Sequence, residues 1–165
     1  MKRIFIIFLL SAVCFLPSLF TGCGKDTGRP VDLPPLYPVK ISITQNNTPL
    51  SGATVTLLGK TPSKYGAASG TTDASGTAVL RTYGYNGAPA GEYAVLVQKI
   101  GTEGAREEKT PEGKSMFVGG QSYAYVDAAF ASGDSTTLSI RVTAKGVAES
   151  FDVGSPVRTF LGDVP

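Results

Sequence analysis

The chain of 165 residues has no histidine, which excludes every mechanism built on an imidazole: Ser-His-Asp and Cys-His nucleophile pairs, and His-ligated zinc or iron. A surplus of one charge is also missing. Lys2 and Arg3 are the only charged residues before Cys23, and without them 13 basic side chains stand against 13 acidic ones. Such a balance gives no basic surface for nucleic acid. No segment keeps an apolar period of 3.6 over three helical turns; Tyr125 to Ala131 has room for one or two. Turn formers are plentiful instead. The 20 Gly and 11 Pro supply many turns but stay below the fraction that marks disorder. The length suits one globular domain with a modest accessory segment, and a turn-rich all-β fold is expected.

Long apolar runs are limited to one, Ile4 to Leu16. As a helix it would reach about 20 Å at about 1.5 Å per residue, short of the roughly 30 Å hydrocarbon core of a membrane. With Lys2 and Arg3 before it and Pro17 and small residues after it, the run has the layout of a secretory leader. The stretch Leu19-Phe20-Thr21-Gly22-Cys23 resembles the lipobox of bacterial lipoproteins, with Phe20 where leucine is usual. That resemblance implies a signal peptide over residues 1–22, cleavage before Cys23 and lipidation of its sulfur. Cys14 lies inside the leader, so Cys23 would be the only thiol of the mature chain and no internal disulfide would form. Several acyl chains on one residue hold a protein firmly on a membrane, because each buried CH₂ contributes about 0.8 kcal/mol. The expected location is the bacterial cell envelope, anchored to the inner or outer membrane and outside the cytoplasm. By resemblance to the sorting rule of some Gram-negative bacteria, Gly24 rather than Asp after the cysteine would permit export to the outer one. Residues 23–37 hold Pro30, Pro34 and Pro35, with Pro38 just beyond, and read as a Pro-rich tether.

From residue 38 the period becomes two. Val39, Ile41 and Ile43 alternate with Lys40, Ser42 and Thr44, as in a strand with one buried face. Asn46 to Pro49 reads as a turn, Thr54 to Leu58 as a second strand, and the stretch on to Gly70 as a loop. Asp73-Ala74-Ser75-Gly76 is a tight turn, with Asp accepting backbone bonds and Gly supplying a positive φ. Thr77 to Tyr83 and Tyr93 to Val97 follow as strands, separated by a loop from Gly84 to Gly91. The charged stretch 101–115 reads as an exposed insertion, and Phe117 to Tyr125 as a candidate seventh strand. Thr137 to Thr143 and Val147 to Val153 read as a hairpin, and 154–165 as a C-terminal tail.

Three motifs occur in order: Pro49-Leu50-Ser51-Gly52-Ala53-Thr54-Val55, Thr71-Thr72-Asp73-Ala74-Ser75-Gly76, and Pro89-Ala90-Gly91-Glu92-Tyr93-Ala94-Val95. Together they resemble the carboxypeptidase regulatory-like domain over about residues 38–153. The resemblance implies an immunoglobulin/transthyretin-like sandwich of two sheets and about seven strands. Gly52, Asp73, Gly76, Gly91 and Tyr93 would be structural residues of its turns and central strand. Such a fold hosts many roles, and its known enzymes use histidines that this chain lacks.

Candidate chemistry is sparse. Asp73 with Ser75 offers too few oxygens for calcium, and Asp127 and Asp134 flank a loop with nothing else to suggest a cleft. Lys40, Glu92 and Asp152 superficially match the isopeptide-forming set of collagen-adhesin B-like domains, but strand parity turns Lys40 and Asp152 to solvent. Tyr83, Tyr85 and Asn86 on one loop, and Tyr123 with Tyr125 on another segment, are candidates for stacking on a sugar or peptide. No cofactor or metal is expected. The sequence thus reads as a non-catalytic structural or binding lipoprotein. Its alternatives are a carbohydrate- or peptide-binding accessory module, with a cell-surface protein or glycan as partner, and an enzyme with convergent carboxylates.

Overall fold

The computed structural model describes residues 28–164. Residues 1–22 and Cys23, the leader and the lipidation site expected from sequence, lie outside them. The folded unit begins at Asp32; Leu33 is buried, and Tyr37 bridges to Ala88 and packs on the core. The unit is all-β, and among the described residues the only helical element is a 3₁₀ turn at Ala128–Phe130.

Four sheets are present among the described residues. In the first, β1 (Val39–Gln45) lies between β14 (Val147–Asp152) on one side and, end to end on the other, β5 (Thr77–Val79) and β2 (Thr48–Pro49). The β1–β14 pair is parallel, with Val39 opposite Val147 and Thr44 opposite Asp152; the other described pairs are antiparallel. The six-stranded sheet runs β13 (Ser139–Val142), β8 (Gly91–Gln98), β3 (Thr54–Gly59), β4 (Ala68–Thr71), β6 (Arg81–Thr82) and β7 (Tyr85–Asn86). A third sheet places β12 (Gln121–Ala124) between β9 (Ile100–Glu103) and β15 (Thr159–Asp163). The fourth is the hairpin of β10 (Arg106–Lys109) and β11 (Ser115–Val118).

Period-two patterning places the core. Val39, Ile41 and Ile43 of β1, Val55 and Leu57 of β3, Val95 and Val97 of β8 and Val142 of β13 are almost fully buried in one cluster. Each contributes about 1.5–3 kcal/mol by leaving water. The run from Thr77 serves two sheets. Its first half pairs with β1, and after buried Leu80, whose N–H bonds Val39 C=O, its second half pairs with β4. That switch splits the single strand expected from Thr77 to Tyr83.

Several expectations need correction. Residues 137–153 do not form a hairpin: the Thr143–Gly146 turn carries the chain from the six-stranded sheet to the first, where β14 joins β1 in parallel. Apolar positions on both runs face the common core from different sheets, which alternation alone cannot distinguish. The expected loop before Gly70 contains β4, and the expected loop after Gly84 contains β7. The tail contributes β15, which pairs with β12. Fifteen β-segments occur among the described residues, against about seven expected, because many are only two to four residues long.

Candidate functional site

The Asp73 turn is built by its carboxylate. One oxygen, Oδ1, accepts from Ser75 N (2.8 Å), Ser75 Oγ (2.6 Å) and Thr77 N (3.0 Å). The Ser75 hydroxyl bond, followed by the Thr77 amide, holds the Asp73 pKa below its usual value. Gly76 has φ +75°, and a Cβ there would sit 2.5 Å from Ile43 C=O. Gly52 also has positive φ, with open space around it. Beneath the turn, buried Thr72 accepts from Ala53 N (2.9 Å) and donates to Leu50 C=O (2.6 Å). This turn stitches strands together through Asp73 Oδ1.

Tyr93 begins the apolar part of β8. Its hydroxyl donates to Pro89 C=O (2.9 Å), burial raises its pKa, and its ring lies against Gly91. A groove of about 630 Å³ runs past this point, walled by Leu57, Leu58, Pro62 and Pro89, with Lys60 and Glu92 also lining it. Glu92 pairs with Lys60 (3.7 Å) and with Arg141 (3.1 Å), all exposed, an arrangement of small energetic value.

The three residues proposed for ligand contact share the two-residue hairpin between β6 and β7. Tyr83 and Gly84 occupy its turn with φ of 51° and 84°. A left-handed tyrosine is uncommon. Tyr83 is 61% exposed and meets Tyr65 edge to face, ring centres 5.7 Å apart. Lys64 lies over the Tyr65 ring at 5.0 Å and pairs with Asp32. Asn86 is engaged within the protein, its Oδ1 accepting from Arg81 Nε (2.9 Å), while Tyr85 is half-buried. None of the three lines the groove.

Comparison with protein-family models, curated proteins and solved structures finds no match. The site must therefore be judged on its own chemistry.

Sequence reasoning singled out Tyr123 and Tyr125 but missed their partners. Arg158, from the tail, stacks over Tyr123 with its guanidinium carbon 3.6 Å from the ring centre and bonds Glu103 (Nη2 to Oε2, 2.7 Å). Tyr125 Oη donates to Glu103 Oε1, and Tyr123 Oη donates to Gln121 Oε1 (2.7 Å). Arg158, chiefly, and the Tyr125 hydroxyl hold the Glu103 pKa down to about 2; the bond to Glu103 pushes the Tyr125 hydroxyl up. Glu103 and Arg158 are 55 residues apart, so no local spacing signals the pair. The network locks β15 and its approach onto the third sheet.

Two further carboxylates, Asp127 and Asp152, have local work. Asp127 caps the 3₁₀ turn by accepting from Ala129 N (2.8 Å). Asp152 accepts from Asn47 N, Thr44 Oγ1 and Gly154 N, each at 2.8 Å, and these bonds lower its pKa, with the Asn47 amide foremost. Lys40 and Asp152 are both exposed. Among the described residues no three His, Cys, Asp or Glu side chains group as metal ligands.

Proposed function

We propose that the chain is an envelope lipoprotein, held on a membrane through Cys23, whose β-domain is a non-catalytic structural or binding module outside the cytoplasm. The observation that carries this reading is the leader that ends in Leu19-Phe20-Thr21-Gly22-Cys23, a short segment ahead of a folded unit that starts at Asp32. Its non-catalytic character rests on the use made of the carboxylates: Asp73, Asp127 and Asp152 hold turns and strand ends, and Glu92 and Glu103 are ion-paired. A group committed in this way is a poor general acid or base, which needs a free proton-transfer partner in reach of substrate. Cys23→Ser in the full chain is expected to move the protein from the membrane fraction to the soluble one. An unchanged membrane fraction contradicts the lipid anchor.

The fold is proposed as the two-sheet sandwich of the carboxypeptidase regulatory-like type. Two features support it: one core shared by the β1 and the β3–β8–β13 faces, and the Tyr93 hydroxyl bonded to backbone four residues upstream, similar to the tyrosine corner of immunoglobulin-like folds.

A second reading, a carbohydrate- or peptide-binding module, is favoured by one feature: the exposed left-handed Tyr83 against Tyr65. Residues held in sparsely populated backbone regions cluster at ligand sites. Glycan and peptide arrays probed with the native chain and with Tyr83→Ala test it. A ligand lost in the variant supports binding there, and equal signal in both removes Tyr83 from the site.

A further inference from the structure

The charged stretch that reads as an insertion is half of one long ribbon. Glu103 faces Gln121 in the third sheet, and Arg106 faces Val118 in the hairpin, so both halves keep the same register across Gly104-Ala105 and Gly119-Gly120. Gly104, Gly119 and Gly120 have positive φ, and a Cβ at Gly120 would meet Glu103 C=O at 2.9 Å. The inner half gains β15 as a third strand, whose pairing ends where Val164 N bonds Gly120 C=O. Beyond that point, among the described residues, β10 and β11 pair only with each other. A two-stranded ribbon is marginally stable in water.

The two edges of this outer ribbon differ. β10 reads Arg-Glu-Glu-Lys, every residue exposed, which is the usual defence of an edge against pairing. β11 reads Ser-Met-Phe-Val, with no charge, Met116 47% and Phe117 74% exposed. The turn fixes which backbone groups face outward. Thr110 N donates to Lys114 C=O, so the hydrogen-bonded pairs that follow are Glu108 with Met116 and Arg106 with Val118. Ser115 and Phe117 therefore point their N–H and C=O away from β10, along an open edge.

We propose that this edge pairs with β11 of a second copy, antiparallel about a two-fold axis at Met116, giving a four-stranded sheet β10-β11-β11-β10. Side-chain parity under such an axis places Met116 against its counterpart and Ser115 against Phe117, and the outward groups of Ser115 and Phe117 bond across the join. Charge selects this arrangement. A β10–β10 join about Glu107 or Glu108 sets that glutamate against itself, and like charges directly opposite are destabilising. A β10–β11 join sets charges against Met116 and Phe117. So short an edge buries far less than the roughly 1,200–2,000 Å² of a stable solution complex, so pairing depends on copies concentrated on one surface. In that respect it rests on the anchor proposed above.

The test uses the full chain in cells. Met116→Cys puts a thiol at a non-hydrogen-bonded pair, with Cα atoms about 4.5 Å apart, inside the range a disulfide spans. After mild oxidation, Met116→Cys should run mainly as a reducible dimer, and Glu108→Cys should give at least tenfold less. Adding Phe117→Pro removes an outward N–H that the hairpin does not use, and should cut the Met116→Cys dimer about tenfold while leaving the circular dichroism unchanged. Equal dimer from Met116→Cys and Glu108→Cys, or no effect of Phe117→Pro, overturns the pairing. Fractionation of the same samples reports the anchor separately: a membrane-bound monomer overturns only the pairing, and a soluble cross-linked dimer overturns the anchor and the dependence of the pairing on it, while leaving the β11 edge as the contact.

Discussion

At the scale of single residues, this protein spends its polar groups on holding backbone. Thr72 is the clearest case, since its one hydroxyl satisfies two buried backbone groups, Ala53 N–H and Leu50 C=O. Thr72→Val keeps the shape and leaves both unpaired, at about 1–3 kcal/mol for each; urea unfolding should show a lowered midpoint with an unchanged slope. Glu103 gives a pH signature. Its folded pKa of about 2 lies below the ordinary 4.5, so the pair with Arg158 contributes fully above the ordinary value and is lost as pH falls towards 2. The stability gap between the native chain and Glu103→Gln should therefore narrow between about pH 5 and pH 2, as followed by thermal melts. A gap that stays constant with pH would show that the loss is not electrostatic. Asp73 was legible from sequence as a turn residue because all its partners lie within four positions. Arg158 was not, because its partners come from distant strands.

Elements were legible where one face is buried and the other wet. The alternation of β1 marks its buried side correctly from Val39 to Ile43, whereas the turn at residues 110–114, with left-handed Gly113, lay inside the stretch read only as an insertion. β4 was invisible: Ala-Ser-Gly-Thr has little strand propensity, and Gly70 is there because Val79 C=O comes within 2.6 Å of where a Cβ would be. Sheet membership was also beyond reach, since period two tells which face is buried but not which neighbour a strand takes. That is why β14 left its expected partner for β1. Turns separate strain from crowding. Gly52→Ala should cost only the left-handed penalty, about 1–2 kcal/mol, whereas Gly76→Ala adds a collision with Ile43 C=O and should cost clearly more. Equal losses in thermal melts would contradict the crowding at Gly76.

For the whole molecule, one core joins faces of the first and the six-stranded sheets, with Leu80 passing the chain between them. Ile41→Ala, at a fully buried position of β1, should cost about 2–5 kcal/mol and lower both the melting temperature and the yield of folded protein. The all-β class followed from patterning and turn content. Function did not follow in the same way, because fold-determining glycines, turns and tyrosines carry architecture and little chemistry. The functional account therefore depends on residues ahead of the domain. Mass spectrometry of the N-terminal peptide from membrane-extracted protein tests it most directly. The account predicts a chain that starts at Cys23 and carries the added mass of acyl chains on that residue; an unmodified Cys23, or a chain that still begins at Met1, would contradict it.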